Sequence, residues 1–205
     1  MFYETANNDH GLPHDPLKSC VVPRPIGWIS SLAADGTPNL APYSFFNLLC
    51  ASPPVVGYAS NGRGPAGPKD TVTNIEATGE FVYSMATWDQ REAMNRTSAP
   101  VPPDVDEFEH AGLQPLPSRL VRPARVAGSP VHFECRLLRT VDLPARAPDV
   151  RNVLVLGEVV GVHIDDAALV EGQIDVARLR PIARLGYWEY ACVEQVFRLP
   201  PPGRS

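Results

Sequence analysis

Apolar and polar positions along the chain alternate mostly with the period of strands, and only a few short segments carry helical spacing. Residues 26–32 read as one β run and residues 39–49 as a second. Ala34-Asp35-Gly36-Thr37 between them carries an Asp-Gly turn signal, which predicts a hairpin. Ser52-Pro53-Pro54 interrupts the sheet and residues 55–59 resume it. Further strands are predicted over 81–86, 131–141, 153–164 and 185–196. Helical candidates are residues 15–20, ended by Pro23 and Pro25, then 90–96 and 175–179. A further helix starts where Asp70 or Thr71 can cap, buries Val72 and Ile75 on one face, runs to Thr78 and stops at Gly79. Many strands with few, short helices predict a mainly β protein. The expected architecture is a closed or nearly closed antiparallel barrel rather than alternating βαβ units.

At 205 residues one domain is the default, and the expectation is a single unit with its core over about 15–195. Residues 97–130 hold seven prolines in 34 residues, too long for an ordinary connection, and read as an ordered functional excursion or lid. Residues 36–62 carry no formal charge, but Pro38, Pro42, Pro53 and Pro54 forbid a spanning helix there, so buried strands are expected and no membrane association. The first 15 residues lack a basic stretch followed by an apolar one, and the cytoplasm is the expected location. Cys20, Cys50, Cys135 and Cys192 show no metal-ligand spacing, so reduced thiols and no metal are expected. The formal net charge is −5, and the 16 arginines are scattered, which argues against nucleic acid as a partner. There are only two lysines, Lys18 and Lys69.

There is no GxGxxG after a strand and no GxxxxGK[ST], so a nucleotide would need another phosphate cradle. The best candidate is the Gly/Pro loop 61–68 running into Lys69-Asp70-Thr71. There the free amides and positive end of a helix would converge with the Lys69 ammonium, the Thr71 hydroxyl and Ser60 on an anion. Simple capping by Asp70 and Thr71 is the alternative. Ser30, Ser31, Ser44 and Asn47 lie among apolar neighbours, where each polar group needs a partner. A planar heterocycle would supply partners, and so would nearby strand backbone.

Arg24-Pro-Ile-Gly-Trp-Ile-Ser-Ser, Asn39-Leu-Ala-Pro-Tyr-Ser-Phe-Phe-Asn, Pro68-Lys-Asp-Thr-Val-Thr-Asn-Ile and Arg184-Leu-Gly, in this order, resemble the flavin reductase-like, FMN-binding split-barrel family. The resemblance spans about residues 15–195 and implies a Greek-key split barrel that forms a homodimer with FMN at the interface. FAD is the less favoured flavin, and NAD(P)H is the implied co-substrate. Carried over by position, Ile29, Ser30 and Ser31 would approach the isoalloxazine. Ser44, Phe45, Phe46 and Asn47 would bind its polar edge, and Ser60, Lys69, Asp70 and Thr71 its phosphate. Tyr187 and Trp188 stand where the family commonly has small residues, and would restrict access to the flavin face. His132 is a weaker candidate near the flavin. The implied activity is hydride transfer from NAD(P)H to flavin, with electrons passed to an acceptor or a partner monooxygenase. The alternative is an FMN-binding electron carrier or store without fast NAD(P)H oxidation.

Overall fold

The computed structural model describes residues 1–62 and 69–203. Most of the loop 61–68 singled out above therefore lies outside the described residues. Seven strands form one antiparallel sheet: β1 (Gly27–Leu32), β2 (Pro38–Tyr43), β3 (Phe46–Ala51), β4 (Pro54–Ser60), β5 (Glu80–Met85), β6 (Val131–Leu143) and β7 (Asn152–Ile164). Their order is β2-β1-β5-β6-β7-β4-β3. The expected hairpin is β1–β2, with Gly27 opposite Tyr43 and Leu32 opposite Pro38.

The run predicted as one strand over 39–49 is two. The chain bends at Ser44 and Phe45, so that β2 and β3, consecutive in sequence, become the two outer strands of the sheet. The sheet curls to bring these edges together. Across the seam the Tyr43 and Tyr58 rings lie 4.5 Å apart, and the Ala59 amide donates to the Phe45 carbonyl at 2.8 Å. Inside the curl Phe46 stacks on Tyr83 at 4.6 Å, within a core that includes Ile29, Tyr58, Phe81, Val155 and the Val72 and Ile75 face of α1 (Asp70–Thr78). A second core lies on the other side of β1, where Trp28, Leu40, Met94 and Phe108 meet. These barrel features are those of the split-barrel fold.

Close packing of rings against backbone limits what can change. A Cβ on Gly157 of β7 would run into the fully buried Phe81 ring. Gly157→Ala is expected to cost about 1–3 kcal/mol in urea unfolding, the usual range for overpacking a core. Phe81→Leu should relieve part of it.

The excursion 97–130 folds back on this same barrel. Its helix α3 (Glu107–Ala111; α2 is Arg91–Arg96) packs on β2, the Ala124 carbonyl accepts from Ser30, and the amides of Arg119, Leu120 and Val121 donate to the buried Glu134 carboxylate on β6. Two other expectations change in detail. Residues 15–20 give only a 3-10 turn, Leu17–Ser19. Residues 185–196 are not one strand: Ile182–Arg184 and Tyr190–Cys192 pair across a turn, because Tyr187 adopts a left-handed conformation with φ 49°. Among the described residues no helix is long and apolar enough to cross a membrane.

Candidate functional site

Helix α1 is preceded by Lys69 in the capping position, with extended backbone and no side-chain cap, so neither Asp70 nor Thr71 caps it as expected. Asp70 and Thr71 are instead the first helical residues. Their amides have no intrahelical acceptor, and both residues line a cleft at the positive end of the helix dipole. Thr71 is fixed from behind. Asn39 donates to its hydroxyl at 2.7 Å and to Ser31 at 3.4 Å, and Asn74 of α1 donates to Ser31 at 3.3 Å. The Tyr43 phenol is pushed up to about 12 by burial, partly offset by hydrogen bonds with the Thr71 and Ser60 hydroxyls. This buried chain of polar side chains docks the start of α1 on β1 and β2.

The cleft has two adjoining parts, with Pro42, Tyr43 and Lys69 lining both. The outer part, about 460 Å³, is lined by Lys18, Arg24, Ser44, Phe45, Lys69 and Arg184, with Tyr187 at its wall. The inner part, about 330 Å³, is lined by Asp70, Thr71, Ser98, Val101 and Glu107 among others. Lys69 joins them: its ammonium lies 5.6 Å from the Tyr43 ring centroid and has no carboxylate partner among the described residues. Burial, and then the charge of Lys18, hold its pKa below the ordinary lysine value. In the inner part Glu107, 7% exposed, accepts from the Leu40 amide at 3.0 Å. Its carboxyl is pushed up to about 7 by burial, with Asp70 and Asp106 adding to the rise.

Of the residues proposed from the sequence, the structure brings Ser44, Phe45, Lys69, Asp70, Thr71 and Tyr187 to this cleft. Ser60 sits just behind it, 2% exposed and beside Lys69 in a small recess. The others lie elsewhere. Ile29 and Phe46 belong to the barrel core, and Ser30 and Ser31 are satisfied internally, by the Ala124 carbonyl and by Asn39 and Asn74. Asn47 is exposed on β3, its side chain accepting from the Leu48 amide at 2.9 Å. His132 is buried, with Nδ1 3.0 Å from the Ser84 hydroxyl, and does not line the cleft. Tyr187 and Trp188 part company at the turn. Trp188, 91% exposed, lines a separate recess with Trp88 and Tyr190.

Three cationic residues were not foreseen as a site: Lys18, Arg24 and Arg184 come from distant parts of the sequence and meet only in the fold. The signal available was the scarcity of lysine, since both lysines of the chain line this one cleft.

Residues 19–188 match the flavin reductase like domain, and the chain belongs to that family. It is 36% identical over 187 residues to an uncharacterised protein of Halalkalibacterium halodurans, covering 91% of this chain and 89% of that one. The crystal structure of nitrilotriacetate monooxygenase component B from Bacillus cereus is similar with a TM-score of 0.87 and 30% identity, over 97% of this chain and 98% of that one. Pseudomonas fluorescens 2-nitrobenzoate 2-nitroreductase gives a TM-score of 0.85 at 26% identity, over 99% and 97% of the two chains.

Proposed function

We propose that the chain is an FMN-dependent oxidoreductase that takes hydride from NADH or NADPH and passes electrons to free flavin, oxygen, a partner monooxygenase or another acceptor. The observation that carries this reading is Lys69. It is a half-buried ammonium without an acid partner among the described residues, set at the start of α1 in a cleft large enough for a cofactor, in a chain of the flavin reductase-like family. These residues fit a flavin phosphate. Lys69 and the first amides of α1 would hold it, Thr71 and Ser60 would shape its rear wall, and Ser44 and Phe45 would lie toward the ring's polar edge. Bound there, FMN supplies the hydride-accepting and electron-passing chemistry that the side chains lack. The chain's own residues bind, orient and exclude water, and no side-chain acid or base is required for the transfer itself. The similarity to a monooxygenase component supports a partner monooxygenase as one acceptor. A homodimer with flavin at the interface, in the cytoplasm, completes the proposal.

The deciding experiment is purification without added flavin, followed by absorbance and mass spectrometry of the released small molecule, then anaerobic titration with NADH and NADPH. Rapid loss of the flavin's visible absorbance is the expected result. Stoichiometric FMN that either nucleotide bleaches only slowly would establish the electron carrier or store instead, and protein that takes up no flavin would remove both readings.

Tyr187 sets the access. It is 47% exposed at the cleft wall, its ring 5.7 Å from that of His14, and its backbone is in the region that glycine adopts without strain. Tyr187→Gly is expected to raise the stopped-flow rate of flavin reduction while leaving stability within about 0.5 kcal/mol, the usual range for surface changes. An unchanged rate per bound flavin would show that the ring does not limit approach.

A further inference from the structure

The flavin reading uses Lys69 but leaves Lys18, Arg24 and Arg184 without a role, although all three line the same outer cleft. Among the described residues none of them forms an ion pair, and Asp15 is the one carboxylate residue on the cleft wall. A phosphate monoester carries about −1.5 to −2 charge near neutral pH, and Lys69 with the α1 dipole already offsets most of that. The outer cleft is then left with a surplus of about two positive charges by the same count.

Arg24 shows how this surplus is built. It is 7% exposed, and its guanidinium donates to the carbonyls of Lys18, Val21 and Leu185, the last two at 2.6 Å. It thereby ties the segment that carries Lys18 to the turn that follows Arg184. Its Nε is buried with no partner. The guanidinium charge therefore stands in the cleft wall with no counter-ion among the described residues, and an anion in the cleft would be attracted to it. Arg184 is held by the Tyr190 hydroxyl at 2.6 Å and by the Tyr187 carbonyl, whereas Lys18, exposed on the wall of the same cleft, has no side-chain partner among the described residues.

We infer that the outer cleft is a second phosphate subsite, formed by Lys18, Arg24 and Arg184, which takes a phosphate group of the nucleotide that approaches the bound flavin. The inference rests on the reductase reading for the identity of that nucleotide, but its chemistry is that of an organic phosphate. The group could be a pyrophosphate or a ribose phosphate monoester.

The test uses the FMN-loaded chain, whose flavin phosphate position is filled, and calorimetric titration with ADP, 2′,5′-ADP and adenosine at low salt. The phosphorylated nucleotides should bind at least about tenfold more tightly than adenosine, as charge-assisted contacts require. Lys18→Ala should cut their affinity about five- to tenfold without changing that of adenosine, and Lys18→Arg should restore most of it. Lys18 is exposed, so the variant keeps its fold. Tighter binding of 2′,5′-ADP than of ADP would identify the monoester as the group bound, and the reverse order the pyrophosphate. Equal affinity for all three compounds overturns the inference. So does a Lys18→Ala variant that weakens FMN but not the phosphorylated nucleotides, which would assign these cations to the flavin's own phosphate. Turnover separates the two readings. A chain that binds ADP through Lys18 yet bleaches with neither NADH nor NADPH keeps the subsite and loses the reductase activity, and the opposite pattern does the converse.

Discussion

Lys69→Ala should lower the affinity for FMN about 10- to 150-fold, the equivalent of about 1.5–3 kcal/mol for one charge-assisted hydrogen bond, while riboflavin affinity stays nearly constant. The reason is geometric. The ammonium stands at the junction of the two parts of the cleft, over the Tyr43 ring, with no carboxylate to occupy it among the described residues. Fluorescence titration of the apoprotein with both flavins measures the two constants. Equal losses for FMN and riboflavin would show that Lys69 does not hold the phosphate.

Glu134→Ala should have the largest effect on stability, about 3–5 kcal/mol in urea unfolding, as expected when one partner of a buried charged network is removed. Its carboxylate is fully buried. It accepts from the Arg119 amide at 2.8 Å and the Val121 amide at 3.1 Å, as well as from Leu120, and lies 2.5 Å from His163 Nε2. Truncation leaves three backbone donors of the excursion unpaired at once. Burial alone would raise this carboxyl, yet the bonds from His163 and the three amides together hold it below the ordinary value of 4.5. A carboxylate depressed in the folded state adds stability above its unfolded pKa and loses it as pH falls through the folded one. Buried His132 acts at higher pH. Burial pushes it down from 6.5 to about 4, so the unfolded chain takes up a proton first and stability falls across that interval. Wild-type protein should therefore lose stability in two stages on acidification, and Glu134→Ala should retain the first and lack the second. A single identical acid transition in both proteins would contradict the assignment.

Much of the barrel was legible because its signals are local. The Asp35-Gly36 turn set the β1–β2 hairpin, and the Val72, Ile75 and Gly79 spacing set the buried face and end of α1. The bend at Ser44 and Phe45 was not legible, since both flanking runs favour strands and only the curling of the whole sheet places them on opposite edges. Loop and helix chemistry alone placed Lys69, Asp70 and Thr71 together at a helix start, and the structure sets all three on one cleft. Ser30 and Ser31 were ambiguous for a physical reason: a buried hydroxyl needs a partner, and composition does not tell a ligand from the Ala124 carbonyl or the Asn39 and Asn74 amides. The cation cluster was hidden because its members are far apart in sequence: Arg24 bonds the Lys18 and Leu185 carbonyls and pairs with Arg184 across a strand ladder, contacts that exist only in the fold.

The outer edge of β2 has a consequence for how the molecule meets other chains. Alternate amides along a strand point to opposite sides, and the Leu40 amide points away from β1, toward Glu107. The positions that share its direction are 38 and 42, and both are proline. This edge therefore offers an incoming strand no free donor: two N–H groups are absent and the third is taken by a carboxylate. The other edge, β3, has no proline and exposes Leu48 and Leu49. Strand-to-strand growth through the seven-stranded sheet needs two receptive edges, and among the described residues this sheet presents one. Misassembly through this sheet should stop at pairs, and replacing Pro38 and Pro42 would remove the block that keeps it there.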